Sequence, residues 1–236
     1  MGVSFFGLPN VQLRVGTFKN TDLIVRFIPT LEIPGEDIGG EIGLWGIGVK
    51  HDIKQWIPGL KNKPFDLALQ AAYSSFSFDI TFPGQLVNEP GSIYSDGTSP
   101  NPATYDDQGF SYDVSGFNIS AIISKQLSVL TLYGALGLNS SKADMTMLGH
   151  YPVVTGLQAN TSGGIDYINT DFVDPIDVST SITTPKVTAG FRLKLAIFTI
   201  HADYSYAKYP YMSVGIGFIF RESKMDKIKT EDEPSE

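Results

Sequence analysis

The segment Tyr211-Met-Ser-Val-Gly-Ile-Gly-Phe-Ile-Phe220 alternates large apolar residues with serine and glycine. On a β-strand, this alternation places the large apolar side chains on one face. A strand of about ten residues with one apolar face is long enough to cross a bilayer when it is tilted. Residues 198–206 show the same alternation, and the aromatic turn Lys208-Tyr-Pro-Tyr211 joins the two segments. The pair therefore predicts the closing hairpin of a transmembrane β-barrel.

The composition agrees with one all-β domain. The 236 residues include 24 glycines, 15 phenylalanines and 11 tyrosines, which favours strands joined by tight turns. No run of about 18 apolar residues exists, so the sequence excludes a membrane-spanning helix. A net charge of −8 without a basic stripe argues against nucleic acid as a partner. The absence of cysteine excludes disulfides and thiol nucleophiles, and it suits an oxidising envelope.

Apolar alternation with a period of two predicts nine strands. In the fourth strand the apolar residues change phase between Tyr73 and Phe76, which predicts a β-bulge at Ser74 and Ser75. The fold class predicted from this pattern is all-β, an antiparallel transmembrane β-barrel with about nine or ten strands visible. The predicted strands are residues 10–18, 21–29, 40–51, 65–80, 110–124, 128–143, 182–195, 198–206 and 211–220.

The connections between these strands alternate in length. Those at 19–20, at 125–127 and near Ala196 are short, whereas residues 81–109 and 144–180 form long polar stretches. Bacterial barrels have short periplasmic turns and long external loops, so the sorting agrees with a periplasmic C-terminus. Nine strands then leave residue 1 outside, although bacterial barrels have even strand numbers. We therefore expect a missing upstream strand and signal peptide, or an error of one in the count.

Residues 51–63 interrupt the strand rhythm. Asp52, Ile53, Trp56, Ile57 and Leu60 have roughly helical spacing, and a Pro-Gly pair follows Ile57. One interpretation is a short amphipathic helix at the membrane interface, with the indole of Trp56 at headgroup depth. The other interpretation is a packed plug under the barrel mouth.

Two stretches of the sequence resemble a known family. Thr21-Asp-Leu-Ile-Val-Arg-Phe27 and Gly46-Ile-Gly-Val-Lys-His-Asp-Ile-Lys-Gln-Trp-Ile-Pro-Gly59 are similar to segments of Gram-negative, Bacteroides-type outer-membrane barrels of unassigned function. The resemblance covers most of the chain from Leu8 to Phe220. It implies an outer-membrane barrel with a cleaved signal peptide, in a somewhat longer chain than this one. It implies no catalytic residues.

Charged residues within the predicted strands alternate with the apolar ones. A cation on the lipid-facing side near the bilayer midplane would cost about 2–4 kcal/mol, so these residues are expected to face the lumen. There they could line a pore and set its solute preference, or pair with one another and fill a narrow interior. The lumen-facing candidates are Arg14, Arg26, Lys50, Asp66, Arg192, Lys194, His201 and Asp203. The candidates for membrane-interface aromatic residues are Trp45, Trp56, Tyr204, Tyr206, Tyr209 and Tyr211.

His201, Asp203 and Ser205 alternate onto one face of a strand and raise the possibility of a hydrolase. Residues two apart on a strand lie about 6.5–7 Å apart, whereas a catalytic triad converges on one proton path. No Gly-x-Ser-x-Gly motif accompanies them. We therefore predict no catalytic site. The three histidines are scattered and the acidic loops lack a calcium-binding pattern, so we also predict no metal site and no cofactor.

The sequence thus predicts an integral barrel of the bacterial outer membrane over residues 1–220, followed by a disordered periplasmic tail at 221–236. The favoured function is that of a passive channel or transport-type protein, with outer-membrane lipid and small solutes or envelope proteins as partners. One alternative is a closed, non-conducting barrel that serves as a structural or assembly partner in an envelope complex. A second is a membrane-embedded lipid hydrolase, and a third is a soluble lipocalin-like barrel.

Overall fold

The computed structural model describes residues 10–33, 38–82, 86, 92–99 and 101–219. In these residues the fold is all-β, with twelve strands and three short 3₁₀ helices but no α-helix. None of the helices in these ranges is long and apolar enough to cross a membrane. The predicted tail at 221–236, the start of the chain at 1–9 and the last strand residue Phe220 lie outside the described residues.

Nine strands form one large antiparallel sheet in the order β1-β2-β3-β4-β6-β7-β10-β11-β12. The sequence prediction of nine strands is confirmed for this sheet, although β6, β7 and β10 extend further than expected. The strands are β1 (Val11–Gly16), β2 (Thr21–Ile33), β3 (Gly39–Asp52), β4 (Asp66–Thr81), β6 (Gly109–Leu127), β7 (Leu130–Leu148), β10 (Ile176–Leu195), β11 (Phe198–Tyr206) and β12 (Tyr211–Phe218).

A second, three-stranded sheet occupies the stretches that were predicted to be loops. It consists of β5 (Ile93–Tyr94), β8 (His150–Ala159) and β9 (Ile165–Val173), in the order β5-β9-β8. The turn between β8 and β9 contains Gly163 with φ +81°, a conformation that favours glycine. The prediction of long loops at 81–109 and 144–180 is therefore wrong for these three segments, which form strands.

The predicted β-bulge at Ser74 and Ser75 is wrong. The pairing of β4 with both β3 and β6 continues through these residues without a register shift. The apolar residues change sides along a regular strand, from Tyr73 on one face to Phe76 on the other. The irregularity in the large sheet lies instead in β2, between Ile28 and Leu31.

The large sheet is strongly curved. Strands β1 and β10 are six neighbours apart, which corresponds to about 29 Å in a flat sheet. Nevertheless, the charge of Arg192 on β10 acts on Arg14 of β1 and on Lys50 of β3. These side chains belong to one face, which is therefore the concave face, and the opposite face is convex.

Glycine on the concave face allows strands and side chains to approach closely. A Cβ added at Gly137 would contact the Ile119 carbonyl oxygen and lie 2.8 Å from the Ser120 Cβ. A Cβ at Gly190 would lie 2.7 Å from the ring of Tyr133, which occupies the space above this glycine. The tight concave packing therefore depends on missing side chains in β7 and β10.

The edges of the large sheet are β1 and β12. Because the sheet has nine antiparallel strands, these two edge strands run in the same direction. No ladder joins them within the described ranges. Closure by antiparallel pairing would require an odd number of additional strands between them, in agreement with the parity problem noted from the sequence.

Residues 53–65 form a compact turn segment rather than a helix of several turns. Only Lys54–Trp56 are helical, in a single 3₁₀ turn. Buried Lys54 donates from Nζ to the Lys63 carbonyl oxygen at 2.7 Å and lies 3.5 Å from the Asp66 carboxylate. The amphipathic helix does not form, and the segment packs against the start of β4 at the end of the sheet with the short turns.

We expect Gly137→Ala to destabilise the protein by about 1–3 kcal/mol, because the added methyl group meets the backbone of β6. Gly116→Ala is the matched control. Gly116 lies on the same concave face but in β6, and a Cβ added there would be 3.7 Å from the nearest atom, Ser141 Oγ. Urea titration of the folded protein in detergent, followed by tryptophan fluorescence, measures both effects. Equal stability of the two variants would contradict the close approach of β6 and β7.

Candidate functional site

The convex face carries an apolar belt that no other described element covers. Leu136 is 67% exposed and Ile216 is 73% exposed, although both lie in the middle of regular strands. The described strands contact mainly their neighbours in the sheet. We define the apolar belt as the convex-face residues of 11–15, 23–27, 45–49, 67–73, 117–123, 132–138, 187–195, 198–204 and 212–218.

Beyond the belt, on the side of the long connections, the convex face becomes mostly polar and the concave face mostly apolar. We call this part the loop-side extension, residues 39–44 of β3, 75–81 of β4, 109–115 of β6, 140–148 of β7 and 176–183 of β10. Apart from Leu148 at the end of β7, its convex side chains are polar or charged, among them Glu41, Ser77, Asp79, Asp113, Lys142, Asp144, Asp177 and Ser179. Its concave side chains are mostly apolar, with Ser141 and Thr180 as polar members; the large apolar ones include Ile42, Leu44, Phe76, Phe78, Phe110, Tyr112, Met145 and Met147.

Five of the six predicted interface aromatics are exposed near the ends of the belt. Trp45 packs on Tyr73 with ring centroids 5.5 Å apart at the loop-side end of the belt, and Tyr204, Tyr206 and Tyr209 are exposed around the β11–β12 turn. At the opposite end, Trp56 meets His51 edge to face at 5.7 Å. Tyr211 differs, because it pairs with Ser205 on the concave face and Lys186 Nζ lies 5.7 Å from its ring centroid.

The register places all eight predicted lumen-facing residues on the concave face. Six of them are charged residues within the strands. His201 lies between Arg192 and Gly215 on the neighbouring strands, and Asp66 binds Lys54 at the start of β4. The list of lumen-facing candidates omitted other members of this face, among them Asp22, Asp52, Tyr133 and Lys186. The alternation of side chains along each strand was the signal that could have identified them, because they alternate with the apolar residues of the convex face.

Arg14, Lys50 and Arg192 form a cationic trio from strands β1, β3 and β10. The charges of the three residues act on one another across the concave face, and Asp22, the cross-strand partner of Lys50, acts on both Arg14 and Lys50. Lys50 and Arg192 are half-buried, and Arg14 is exposed.

His201, Asp203 and Ser205 do not form a catalytic triad. Asp203 accepts a hydrogen bond from the Tyr133 hydroxyl at 3.2 Å, and the buried Ser205 hydroxyl bonds to that of Thr188 at 2.7 Å. The His201 imidazole lies against Gly215, where a Cβ would clash with the ring. Each residue therefore has a separate partner, and the described contacts provide no nucleophile–base pair.

The β8–β9 hairpin is attached to the loop side of the large sheet by buried hydrogen bonds. The Tyr151 hydroxyl donates to the carbonyl oxygens of Gly109 and Leu148, each at 3.0 Å. The fully buried Gln108 side chain donates to the His150 carbonyl oxygen at 2.7 Å. These contacts fix the start of β8 against the ends of β6 and β7.

An ion pair joins the two strands of this hairpin. His150 Nδ1 lies 2.6 Å from Asp171 Oδ2, and the hydrogen bond with this carboxylate raises the pKa of His150 above its usual value. The other oxygen of Asp171 is buried and has no hydrogen-bond partner among the described residues. The charge of the Asp171 carboxylate therefore depends on the imidazolium for compensation.

The His150–Asp171 pair makes hairpin stability dependent on pH. Because the folded-state pKa of His150 is raised, the stabilisation is complete below the unfolded pKa of about 6.5 and is lost as pH rises through the folded value. Hydrogen exchange of residues 150–173 should therefore accelerate beyond the intrinsic rate increase as the pH rises from below about 6.5 through the raised folded-state pKa of His150. Asp171→Asn should abolish this additional acceleration, whereas Asp177→Asn should retain it. A wild-type protein without it would contradict the interpretation.

No group of three or more metal-binding side chains occurs in the part of the chain that the structure describes. No curated protein matches the chain. A family model described as a family of unknown function, DUF6588, matches residues 1–220. This match includes every strand of the large sheet, and the chain therefore belongs to the DUF6588 family of unknown function.

Proposed function

We propose that this protein is an integral outer-membrane β-barrel that acts as a passive channel for small solutes. The observation that carries the proposal is the exchange of apolar and polar faces along the same strands. In the apolar belt the apolar side chains point outward, and in the loop-side extension they point inward. The exchange marks the height at which strands would leave hydrocarbon and enter water.

A soluble barrel would not be expected to have this distribution. Its apolar side chains would fill the interior along the full length of the strands, as in lipocalin-like barrels. Transfer of a leucine-sized side chain from water to an apolar phase contributes roughly 1.5–3 kcal/mol, so the belt as a whole contributes on the order of tens of kcal/mol. The belt on β10, Val187–Leu195, has a length of roughly 25 Å along the strand, which suits a tilted crossing.

Membrane insertion requires a closed ladder, because unpaired backbone groups in hydrocarbon cost several kcal/mol each. The edge strands β1 and β12 must therefore be paired in the membrane. Since they run in the same direction, the pairing is either a direct parallel seam or an antiparallel one through an additional strand. A parallel seam has a precedent in barrels with odd strand numbers.

The concave face supports the channel rather than the closed barrel. Its charged side chains are not all consumed in ion pairs with one another: within the described residues, Arg14, Arg26, Lys50, Arg192 and Asp203 have no opposite charge within 4.0 Å, and Asp66 pairs with Lys54 of the turn segment. A filled lumen would be expected to neutralise these charges internally. The segment 53–65 lies at one mouth, and a blocked mouth would favour the closed, structural barrel as the second candidate.

Membrane insertion is tested by moving one charge along the convex face. Leu136→Arg places a cation in the middle of the belt and should destabilise the inserted barrel by about 2–4 kcal/mol. Ser179→Arg, which is exposed on the convex side of the loop-side extension near Asp144, should change stability by less than about 0.5 kcal/mol. Folding into lipid vesicles, measured by heat-modifiable gel mobility and urea titration, gives both values. Equal tolerance of both variants in a protein soluble without detergent would contradict the proposal.

The channel function is tested by planar-bilayer recording of the purified, folded protein. We expect unitary current steps, because the charged concave face would hold water. The control is a preparation unfolded by heat and added at the same concentration, which should give no steps. Folded barrels that insert into vesicles but never conduct would exclude the channel and favour the structural role.

A further inference from the structure

The connections at the two ends of the large sheet differ in the sign of their charges. We define the turn-side rim as residues 17–20, 53–65, 125–129 and 196–197, which lie at the end with the short turns. The rim contains five lysines and no aspartate or glutamate. The connections at the opposite end, residues 34–38, 82–108, 149–175 and 207–210, contain nine carboxylates and one lysine. The lysines of the rim are Lys19, Lys54, Lys61, Lys63 and Lys125.

Four of these five lysines are available to a partner. Lys54 is the exception, because it is buried, donates to the Lys63 carbonyl oxygen and lies beside Asp66. The other four are exposed and have no carboxylate within 4.0 Å among the described residues. The carboxylates at the adjacent strand ends, Asp22, Asp52 and Asp66, belong to the concave face. The rim therefore presents cations that the described chain does not neutralise by direct ion pairs.

Large apolar side chains are exposed beside these cations. Phe18, which precedes Lys19 in the β1–β2 turn, is 82% exposed, and Trp56 of the segment 53–65 is 69% exposed. A hydrogen bond of 3.2 Å from Asn20 Nδ2 to Gln55 Oε1 joins the two segments. The two exposed aromatic residues therefore belong to one connected surface. The rim also exposes Leu127, Val129 and Ile197.

The rim adjoins the apolar belt on the convex face. Lys125 of β6 pairs with the belt residue Leu132 of β7. Trp56 lies against His51, which pairs with the belt residue Leu69. A lysine can lay its apolar stem along such a surface and keep its ammonium in the headgroup layer, where tryptophan also resides. The rim thus combines the side chains that suit a boundary between hydrocarbon and an anionic surface.

We propose that the turn-side rim binds the headgroups of anionic phospholipids in the leaflet on the side of the short turns. This inference rests on the proposed membrane insertion, but it does not depend on conduction. Each lysine near an anionic lipid surface strengthens the attraction by about fivefold, and salt screens the effect. The carboxylates at the opposite end of the sheet would be repelled by the same lipids. The difference in charge between the two ends therefore makes lipid binding specific to the rim.

The two tryptophans of the chain report on the two ends of the belt separately. Trp45→Phe leaves only Trp56 at the rim, and Trp56→Phe leaves only Trp45 at the loop-side end of the belt. Each variant is folded into phosphatidylcholine vesicles that contain bromine-labelled phosphatidylglycerol or bromine-labelled phosphatidylcholine, and fluorescence quenching measures the association of each lipid. At Trp56 we expect phosphatidylglycerol to be preferred by about fivefold in dilute salt and less in concentrated salt. At Trp45 we expect no such preference.

Substitution of two rim lysines tests the source of the preference. In the Trp45→Phe protein, Lys19→Gln/Lys61→Gln should reduce the preference for phosphatidylglycerol by about twofold or more. The matched control is Lys142→Gln/Lys208→Gln, which removes two cations from the loop side and should leave the preference unchanged. Heat-modifiable mobility verifies that each variant is folded, and residues 221–236 stay the same in all of them.

The outcomes separate this inference from membrane insertion. If bromine-labelled phosphatidylcholine quenches neither tryptophan, the protein does not lie in the bilayer, and insertion and lipid binding both fail. If both tryptophans are quenched but the two lipids are equivalent at Trp56, insertion stands and binding by the rim is overturned. A preference that is equal at Trp45, or that survives the substitution of Lys19 and Lys61, would also overturn it.

Discussion

The apolar convex face determines what the rest of this structure can be. Each strand of the large sheet exposes side chains on two faces, and on the convex face the side chains of the belt are large, apolar and uncovered within the described chain. Exposure of this apolar surface to water is unfavourable in free energy. Hydrocarbon removes that cost, and it also requires a closed ladder and a polar interior. The proposals on closure, lumen and lipid binding all follow from this choice of solvent.

The loop-side extension shows the same strands in a second environment. Here Phe76 and Phe78 turn to the concave face, while Ser77 and Asp79 take the convex one. The reversal requires no irregularity of the backbone. In a regular strand, the apolar face is set only by whether the apolar residues occupy the odd or the even positions. The small β5-β9-β8 sheet is attached to this extension through the hydrogen bonds of Tyr151 and Gln108.

The concave face combines two opposing requirements. The strand period forces the residues between the belt positions inward, and many of them are glycine, serine or threonine, which leave space. The remaining positions carry charges that would be expensive on the lipid side. Tyr133 fills the space above Gly190 and donates a hydrogen bond to Asp203. The position of this carboxylate on the concave face is therefore tied to the packing of β7 against β10.

The sequence alone determined the number of strands in the large sheet and the face on which each candidate residue lies, because a period of two is a local property of the chain. It missed the two-residue β5 and also β8 and β9, since Gly156 interrupts β8 and the large apolar residues of β9 do not keep a period of two. It also mistook the change of face near Ser74 for a bulge. It could not show that Arg192 of β10 acts on Arg14 and Lys50, or identify Tyr133 and Thr188 as the partners of Asp203 and Ser205. Those relations depend on sheet curvature and register, which only the pairing of strands distant in the chain decides.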